Sequence, residues 1–196
     1  SIAMFTAIAI AAIAAIAAMV CGSVHIPTSE VLSILTGHTP DKDTWGHIIL
    51  DLRLPAVITA VLAGMSLAVA GLLMQTIFAN PLAGPSIMGV SSGASLGVAV
   101  LVLLFGAGTG AVVSGAILGA IAVVVLLVAL AGILRSGVML LIVGILISYL
   151  SSSAIILLNY AASEQSVHTY VLWGMGTFSD TSWDQMAVPA AITTIG

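Results

Sequence analysis

Apolar residues run along this chain in long unbroken blocks, not in alternation. Ile2 to Val20 is almost entirely alanine and isoleucine, and further blocks cover Leu54 to Phe78, Gly89 to Phe105, Ala111 to Leu134 and Val138 to Leu158. Met186 to Gly196 begins another. A bilayer core about 30 Å thick takes roughly 20 apolar residues as a helix, or about 10 alternating residues as a strand. Continuous blocks therefore predict helical spans and argue against a barrel. The expected fold is all-α, a polytopic transmembrane bundle of about five full spans, the Gly89 block being short. A truncated sixth span stops before it could cross, so the chain reads as part of a longer protein.

The breaks between blocks carry turn and capping residues. Gly22 to Leu54 is the first polar stretch, and Pro27-Thr28-Ser29-Glu30 within it reads as a helix start. Thr28 or Ser29 can cap free N–H groups there, and Glu30 suits the positive end. Val31, Leu32, Ile34 and Leu35 then make a short interfacial helix, and Gly37 to Gly46 reads as loop. Pro55 is expected in the first turn of the second span, where a missing N–H costs nothing. Two prolines break the chain between Ala79 and Met88, glycines between Gly106 and Gly110, and Arg135-Ser136-Gly137 makes the next turn. Asn159 to Gln185 is the second long polar stretch. Small residues recur every four positions at Ala60, Gly64 and Ala68, at Gly89, Gly93 and Gly97, and at Ala111, Gly115 and Gly119. Such stripes let helix backbones approach closely.

Composition closes off other classes. Of 196 residues, 61% are hydrophobic and 5% charged, with a mean hydropathy of +1.30. A soluble domain carries about 25% charged residues, and disorder needs low hydrophobicity. Three Lys/Arg cannot neutralise a phosphate backbone, so no nucleic-acid partner is expected. Cys21 is alone and, at the end of an apolar run, reads as a buried small apolar residue. The first block lacks a basic leader and is followed by further spans, so it reads as a span and not a signal peptide. Lys42 and Arg53 on one side against Arg135 on the other do not orient the chain.

Candidate chemistry is sparse. Gly89-Val90-Ser91-Ser92-Gly93 matches G-x-S-x-G, which in a hydrolase holds a nucleophilic serine at a sharp turn. With His168 as base, this allows an intramembrane serine protease as one alternative, while close packing and capping explain the same residues. His25, His38, His47 and His168 have no metal-binding spacing, and no metal is expected. There is no P-loop, so this chain is expected to bind no nucleotide or other cofactor, and active transport would need an ATPase partner. Gln75, Asn80, Ser148, Ser151, Ser152 and Ser153 are polar groups at or near membrane depth. Such groups face a bundle interior or water-filled path, or bond back to their own helix. An ion-coupled secondary transporter is the other alternative. Every Asp, Glu and His lies outside the expected spans, which argues against proton coupling.

From Leu52 to Gly97 the chain reads LRLPAVITAVLAGMSLAVAGLLMQTIFANPLAGPSIMGVSSGASLG. It contains, in order, Leu52-Arg53-Leu54-Pro55, Ala70-Gly71-Leu72-Leu73-Met74-Gln75, Asn80-Pro81-Leu82-Ala83-x-Pro85 and Gly89-x-Ser91-x-Gly93-Ala94-x-Leu96-Gly97. In these motifs the chain resembles the FecCD-type permease family, the membrane subunits of ATP-driven importers for iron-siderophores, haem and cobalamin. Looser matches at Gly22 to Gly37, Leu140 to Gly144, Trp173 to Gly176 and Ser182-Trp183 extend the resemblance over essentially the whole chain.

The resemblance implies a roughly ten-span fold, of which residues 1–196 form the N-terminal part as a single transmembrane permease domain. The absent half would carry the Gly-Glu coupling helix that docks on the ATPase. The implied setting is the bacterial inner membrane, with the N-terminus cytoplasmic and the two long polar stretches periplasmic. Implied partners are an identical or sister permease subunit, two ATPase subunits holding ATP and magnesium, a periplasmic or lipid-anchored binding protein, and membrane lipid. The chain itself would be no enzyme. Arg53 would dock glutamates of the binding protein, although Ala56 stands where the family often has a second arginine. A snorkelling arginine at a helix end fits the same position. Asn80 and Leu82 would form a cytoplasmic gate, and a structural turn fits them equally. Gly84 departs from a residue that is often acidic. Gln75, Ser136, Ser148, Ser151 and Ser152 would line the path, with Pro55, Pro81, Pro85, Gly89, Gly93 and Gly97 as structural motif residues.

Overall fold

The computed structural model describes residues 2–134, 136–179, 181–183, 186, 190 and 193. Its backbone contacts fall into two compact units, Ser1–Ser66 with Thr177–Gly196, and Leu67–Gly176. No strand occurs among the described residues.

The first unit contains α1 (Ile2–Val20), α2 (Thr28–Leu35), α3 (Asp43–His47), a π-helical turn over Ile48–Arg53, and the start of α4 (Leu54–Ile77). Met19, Ile26, Val31, Ile34 and Ile49 form its buried core, with Trp45, Ile48, Leu54 and Val57 packed against them. Val31 and Ile34 are three residues apart, so α2 buries one face while Leu32 stays exposed. Thr36 closes that helix, its Oγ1 donating to the carbonyls of Leu32 and Ser33.

The second unit contains the rest of α4, then α5 (Val90–Ala99), a second π turn (Val100–Leu104), α6 (Thr109–Leu134), α7 (Gly137–Ala161) and α8 (Glu164–Met175). Here α5 and α6 meet backbone to backbone. A Cβ on Gly93 would come within 2.8 Å of the Gly119 carbonyl oxygen, and one on Gly115 within 2.9 Å of the Gly97 oxygen. One on Gly97 or Gly119 would overlap the carbonyls of Gly115 and Gly93. Lipid gives helices no hydrophobic drive to associate, so this close contact supplies dispersion attraction instead. The α7 helix docks in the same way, since a Cβ on Gly144 would lie 2.6 Å from the Met88 Cα. The core between these helices holds Ala83, Met88, Val123, Leu127 and Leu140.

Among the described residues, four helical runs are long and apolar enough to cross a membrane: Ile2–Val20, Asp43–Ile77, Ala111–Leu134 and Gly137–Ala161. The expected third span is a shorter apolar helix, Val90–Leu104. The expected sixth lies almost wholly outside the described residues, as does Arg135.

Two polar stretches contain more helix than their composition suggests. The second span is expected from sequence to start near Leu54, yet helix begins at Asp43 and runs on to Ile77. Pro55 is therefore inside a continuous helical run and not in a first turn. A proline ring there clashes with the carbonyl four residues back, at Asp51. The widened π turn over Ile48–Arg53 relieves that clash while the chain stays helical. The second polar stretch contains α8. Ser163 caps it, its Oγ accepting from the Ser166 N–H at 3.3 Å. Gly176 ends it at φ 68°, a conformation that suits glycine. Tyr170 and Trp173, three residues apart, pack on Val98, Val102 and Val112, and burial pushes the Tyr170 phenol above its ordinary pKa.

Gly119→Ala is expected to destabilise the full-length protein by about 1–3 kcal/mol, because a methyl must force two backbones apart. Gly132→Ala, with nothing within 4 Å of the added carbon, is expected to be neutral or slightly stabilising. Thermal unfolding in detergent reads both, and equal midpoints would contradict the interlock.

Candidate functional site

The break after α4 is built from its own backbone. The Asn80 N–H donates to the Gln75 carbonyl at 3.1 Å, and the Ala79 N–H to the Thr76 carbonyl at 3.2 Å. This crossed pair closes a helix when the residue after its last turn adopts a left-handed conformation. That residue is usually glycine; here it is Ala79, at φ 46°. A Cβ in that conformation costs about 1–2 kcal/mol. The next turn is tied by Asn80, whose Oδ1 accepts from the Leu82 N–H at 2.9 Å while its carbonyl accepts from the Ala83 N–H. Pro81 cannot donate, so the asparagine side chain reaches past it to Leu82. Ala83 is buried and Leu82 is 66% exposed, so the turn presents one apolar side chain outward.

The turn shares a groove of about 510 Å³ with the start of α7. Phe78, Ala79, Asn80 and Leu82 line one side, and Ser136, Gly137, Val138 and Leu141 the other. Ser136 is the N-cap of α7, its Oγ accepting a long 3.5 Å contact from the Met139 N–H. Gly137 lets the two sides meet: a Cβ there would lie 2.6 Å from the Phe78 carbonyl oxygen. The structure thus brings Asn80 and Leu82 together with Ser136, which lies more than fifty positions further along the sequence.

The other candidate path residues are placed elsewhere. Gln75 is exposed on the last turns of α4, and its backbone carbonyl takes the Asn80 N–H. Ser148 and Ser152 bond back to the carbonyls of Gly144 and Ser148, and Ser153 to that of Tyr149. Ser151 is buried on the face that carries Leu140 and Gly144. Pro85 accepts at its carbonyl from the Val90 and Ser91 N–H groups, which anchors the start of α5. Gly89, at φ 79°, would place a Cβ 2.7 Å from the Gly144 oxygen. The G-x-S-x-G segment therefore begins a helix with no strand before it among the described residues, unlike a nucleophile elbow.

Arg53 has a defined set of partners. One terminal guanidinium nitrogen, Nη1, donates to the Met19 carbonyl at 2.7 Å and the Val20 carbonyl at 3.1 Å. Nη2 donates to the Val24 carbonyl at 2.6 Å. The last carbonyls of a helix have no internal donor and carry partial negative charge, so a guanidinium satisfies and neutralises them together. A Cβ on Gly22 would overlap the guanidinium, so glycine is the residue that leaves it room. Composition gives no signal for this role, nor for Ala79 and Gly137, although an alanine directly before Asn-Pro marks a helix end.

Ala79→Gly is expected to stabilise the protein by about 1 kcal/mol by relieving the left-handed alanine, read as a raised unfolding midpoint. A lowered midpoint would count against the strained cap. Arg53→Lys keeps the charge but replaces the planar fork with one ammonium. It is expected to cost about 1–2 kcal/mol of stability through lost bonds to the α1 end; an unchanged midpoint would count against the capping role.

Comparison with known proteins agrees with this architecture. The FecCD transport family profile matches residues 10–196. The hemin transport system permease protein HmuU of Yersinia pestis is 33% identical over 79% of this chain and 48% of its own length. The ferric enterobactin transport system permease protein FepD of Escherichia coli is 40% identical over 48% of this chain and 28% of its own. The molybdate import system permease protein MolB of Haemophilus influenzae is 30% identical over 71% of this chain and 42% of its own. A solved inward-facing conformation of a metal-chelate type ABC transporter superposes with a TM-score of 0.72 at 27% identity, covering 92% of this chain and 55% of that one. The chain spans about half the length of the relatives it matches. With helices long and apolar enough to cross a membrane several times, the chain belongs to the FecCD transport family.

Proposed function

We propose that the full-length protein is the membrane-spanning subunit of an ATP-driven importer in the bacterial inner membrane. Residues 1–196 contribute to one permease domain in this reading, and the cargo is a metal-bearing complex of the iron-siderophore, haem or cobalamin kind. Names of relatives include hemin, ferric enterobactin and molybdate, so relatedness alone does not choose among cargoes. The subunit pairs with an identical or sister copy around a shared path. Two ATPase subunits bind ATP and magnesium, a binding protein delivers cargo, and the permease forms no covalent bond with it. The mechanism is alternating access, with the two ends of the path opening in turn.

The observation that carries this reading is the shared groove of the Asn80–Leu82 turn and the first turn of α7. A turn held by its own side-chain bond, with a free apolar residue at its tip, suits a gate that moves as a unit. The exposed Leu82 side chain is the closing surface in this proposal, and Gln75, Ser148, Ser151 and Ser152 belong to the path behind it. The docking role of Arg53 would act at the rim it shares with the α1 end.

Uptake into proteoliposomes by the full-length protein with its ATPase and binding protein tests the proposal. Transport of ferric siderophore, haem or cobalamin is expected to require ATP and to stop with vanadate. Leu82→Ala is expected to raise ATP hydrolysis per molecule imported severalfold, because the gate leaks. Uptake that survives vanadate but collapses with an uncoupler would overturn the ATP-driven reading in favour of ion coupling. Arg53→Glu is expected to abolish binding-protein association, and unchanged association and uptake would remove Arg53 from docking.

A further inference from the structure

We propose that Trp183 sets the helical register ahead of Pro55, by supplying the donor that the proline withholds. In the π turn the Leu54 N–H donates to the Ile49 carbonyl, five residues back. In that register the next carbonyl, Leu50, should receive the N–H of residue 55. Residue 55 is proline and has none. The indole Nε1–H of Trp183 takes the vacant place, donating to the Leu50 carbonyl at 3.0 Å across 133 positions of sequence.

The alternative is an ordinary α register through the same residues. The Leu54 N–H would then return to Leu50, and the orphan would be the Asp51 carbonyl, which the proline ring also crowds. Pro55 thus creates one orphan carbonyl in either register, and the indole answers only the Leu50 orphan. Trp183 therefore selects the π register. A one-residue change of register turns the helix before Pro55 by about 100° relative to the helix after it. That rotation would carry Ile49, which is fully buried in the first unit's core, off its contacts. Trp183 is in this sense a positioning residue for the whole Asp43–Arg53 face, including the arginine that caps α1. The Ser66 hydroxyl, within 2.9 Å of the Thr193 hydroxyl, ties the same C-terminal segment to α4 at a second point.

The test is a double-mutant cycle read by hydrogen exchange, using full-length protein in lipid nanodiscs and the peptide covering residues 47–54. Trp183→Phe keeps the ring and removes the donor, and is expected to speed exchange about five- to tenfold, the worth of one hydrogen bond. Pro55→Ala restores a backbone N–H at 55, so in that background Trp183→Phe is expected to change exchange by less than about twofold. Equal acceleration in both backgrounds, or none in either, would overturn the proposal. Should Pro55→Ala fail to fold, exchange of the Trp183 indole N–H in the unaltered protein decides it. Exchange at least about tenfold slower than free indole is expected, and exchange at the free rate would overturn it. These readouts need no transport, so they stand or fall apart from the importer reading.

Discussion

A backbone carbonyl that loses its helical donor must find another, and this requirement shapes three breaks among the described residues. Water serves that purpose in a soluble protein but is absent from a bilayer core. Only three Lys/Arg are available, so charged donors are scarce. Each break uses a different substitute. Arg53 reaches the carbonyls of Met19 and Val20 at the end of α1, and of Val24 in the bend after it. The end of α4 uses its own backbone, at the cost of a left-handed alanine, and Asn80 ties the following turn around a proline. The carbonyl stripped by Pro55 receives an indole.

Between the breaks, glycine replaces side-chain packing with backbone contact. Gly93 and Gly97 meet Gly115 and Gly119, and Gly144 meets Met88. At Gly97, Gly119 and Gly144 the nearest atoms are all backbone, which has no flexible side chain to yield and so favours α5, α6 and α7 moving as a stiff body. The Asn80–Leu82 turn is held differently. Its hydrogen bonds are local; beyond them Ala83 and Phe78 pack on the shared core, and Gly137 meets the Phe78 carbonyl. A stiff body beside a locally tied turn is the mechanical contrast that a gate needs, and it is why the proposed motion belongs to the turn and not to the helices around it.

Run length and apolar continuity make the bundle legible in the sequence, because a span has to be about 20 residues long and apolar throughout. The glycine stripes are legible for the same reason: small residues four apart share a helix face. The helices that composition hides are the ones whose stability does not come from being apolar. Asp43–His47 is polar, and it is held through Trp45 and the π turn beyond it. The α8 helix packs the half-buried Tyr170 and Trp173 against the second unit's core and is bounded by Ser163 and Gly176. The candidate site is half legible. Asn80, Leu82 and Ser136 stand out separately, but their shared groove depends on a chain reversal that composition does not record. Arg53 is visible as a lone cation at a helix end, while its three carbonyl partners are not. Ala79 and Trp183 act through backbone groups, which leave no mark on residue type except the neighbouring prolines.

The central functional claim is that the Asn80–Leu82 turn moves as the importer cycles. Its most direct test is the distance between spin labels at Leu82 and at the equivalent position of the second permease subunit in the proposed transporter. One distance distribution is expected without nucleotide and a distinct one with ATP bound and hydrolysis blocked, with labels at the exposed Phe105 staying fixed as a control. A Leu82 distribution that is the same in both states, in an assembly that hydrolyses ATP and imports cargo, would contradict the claim.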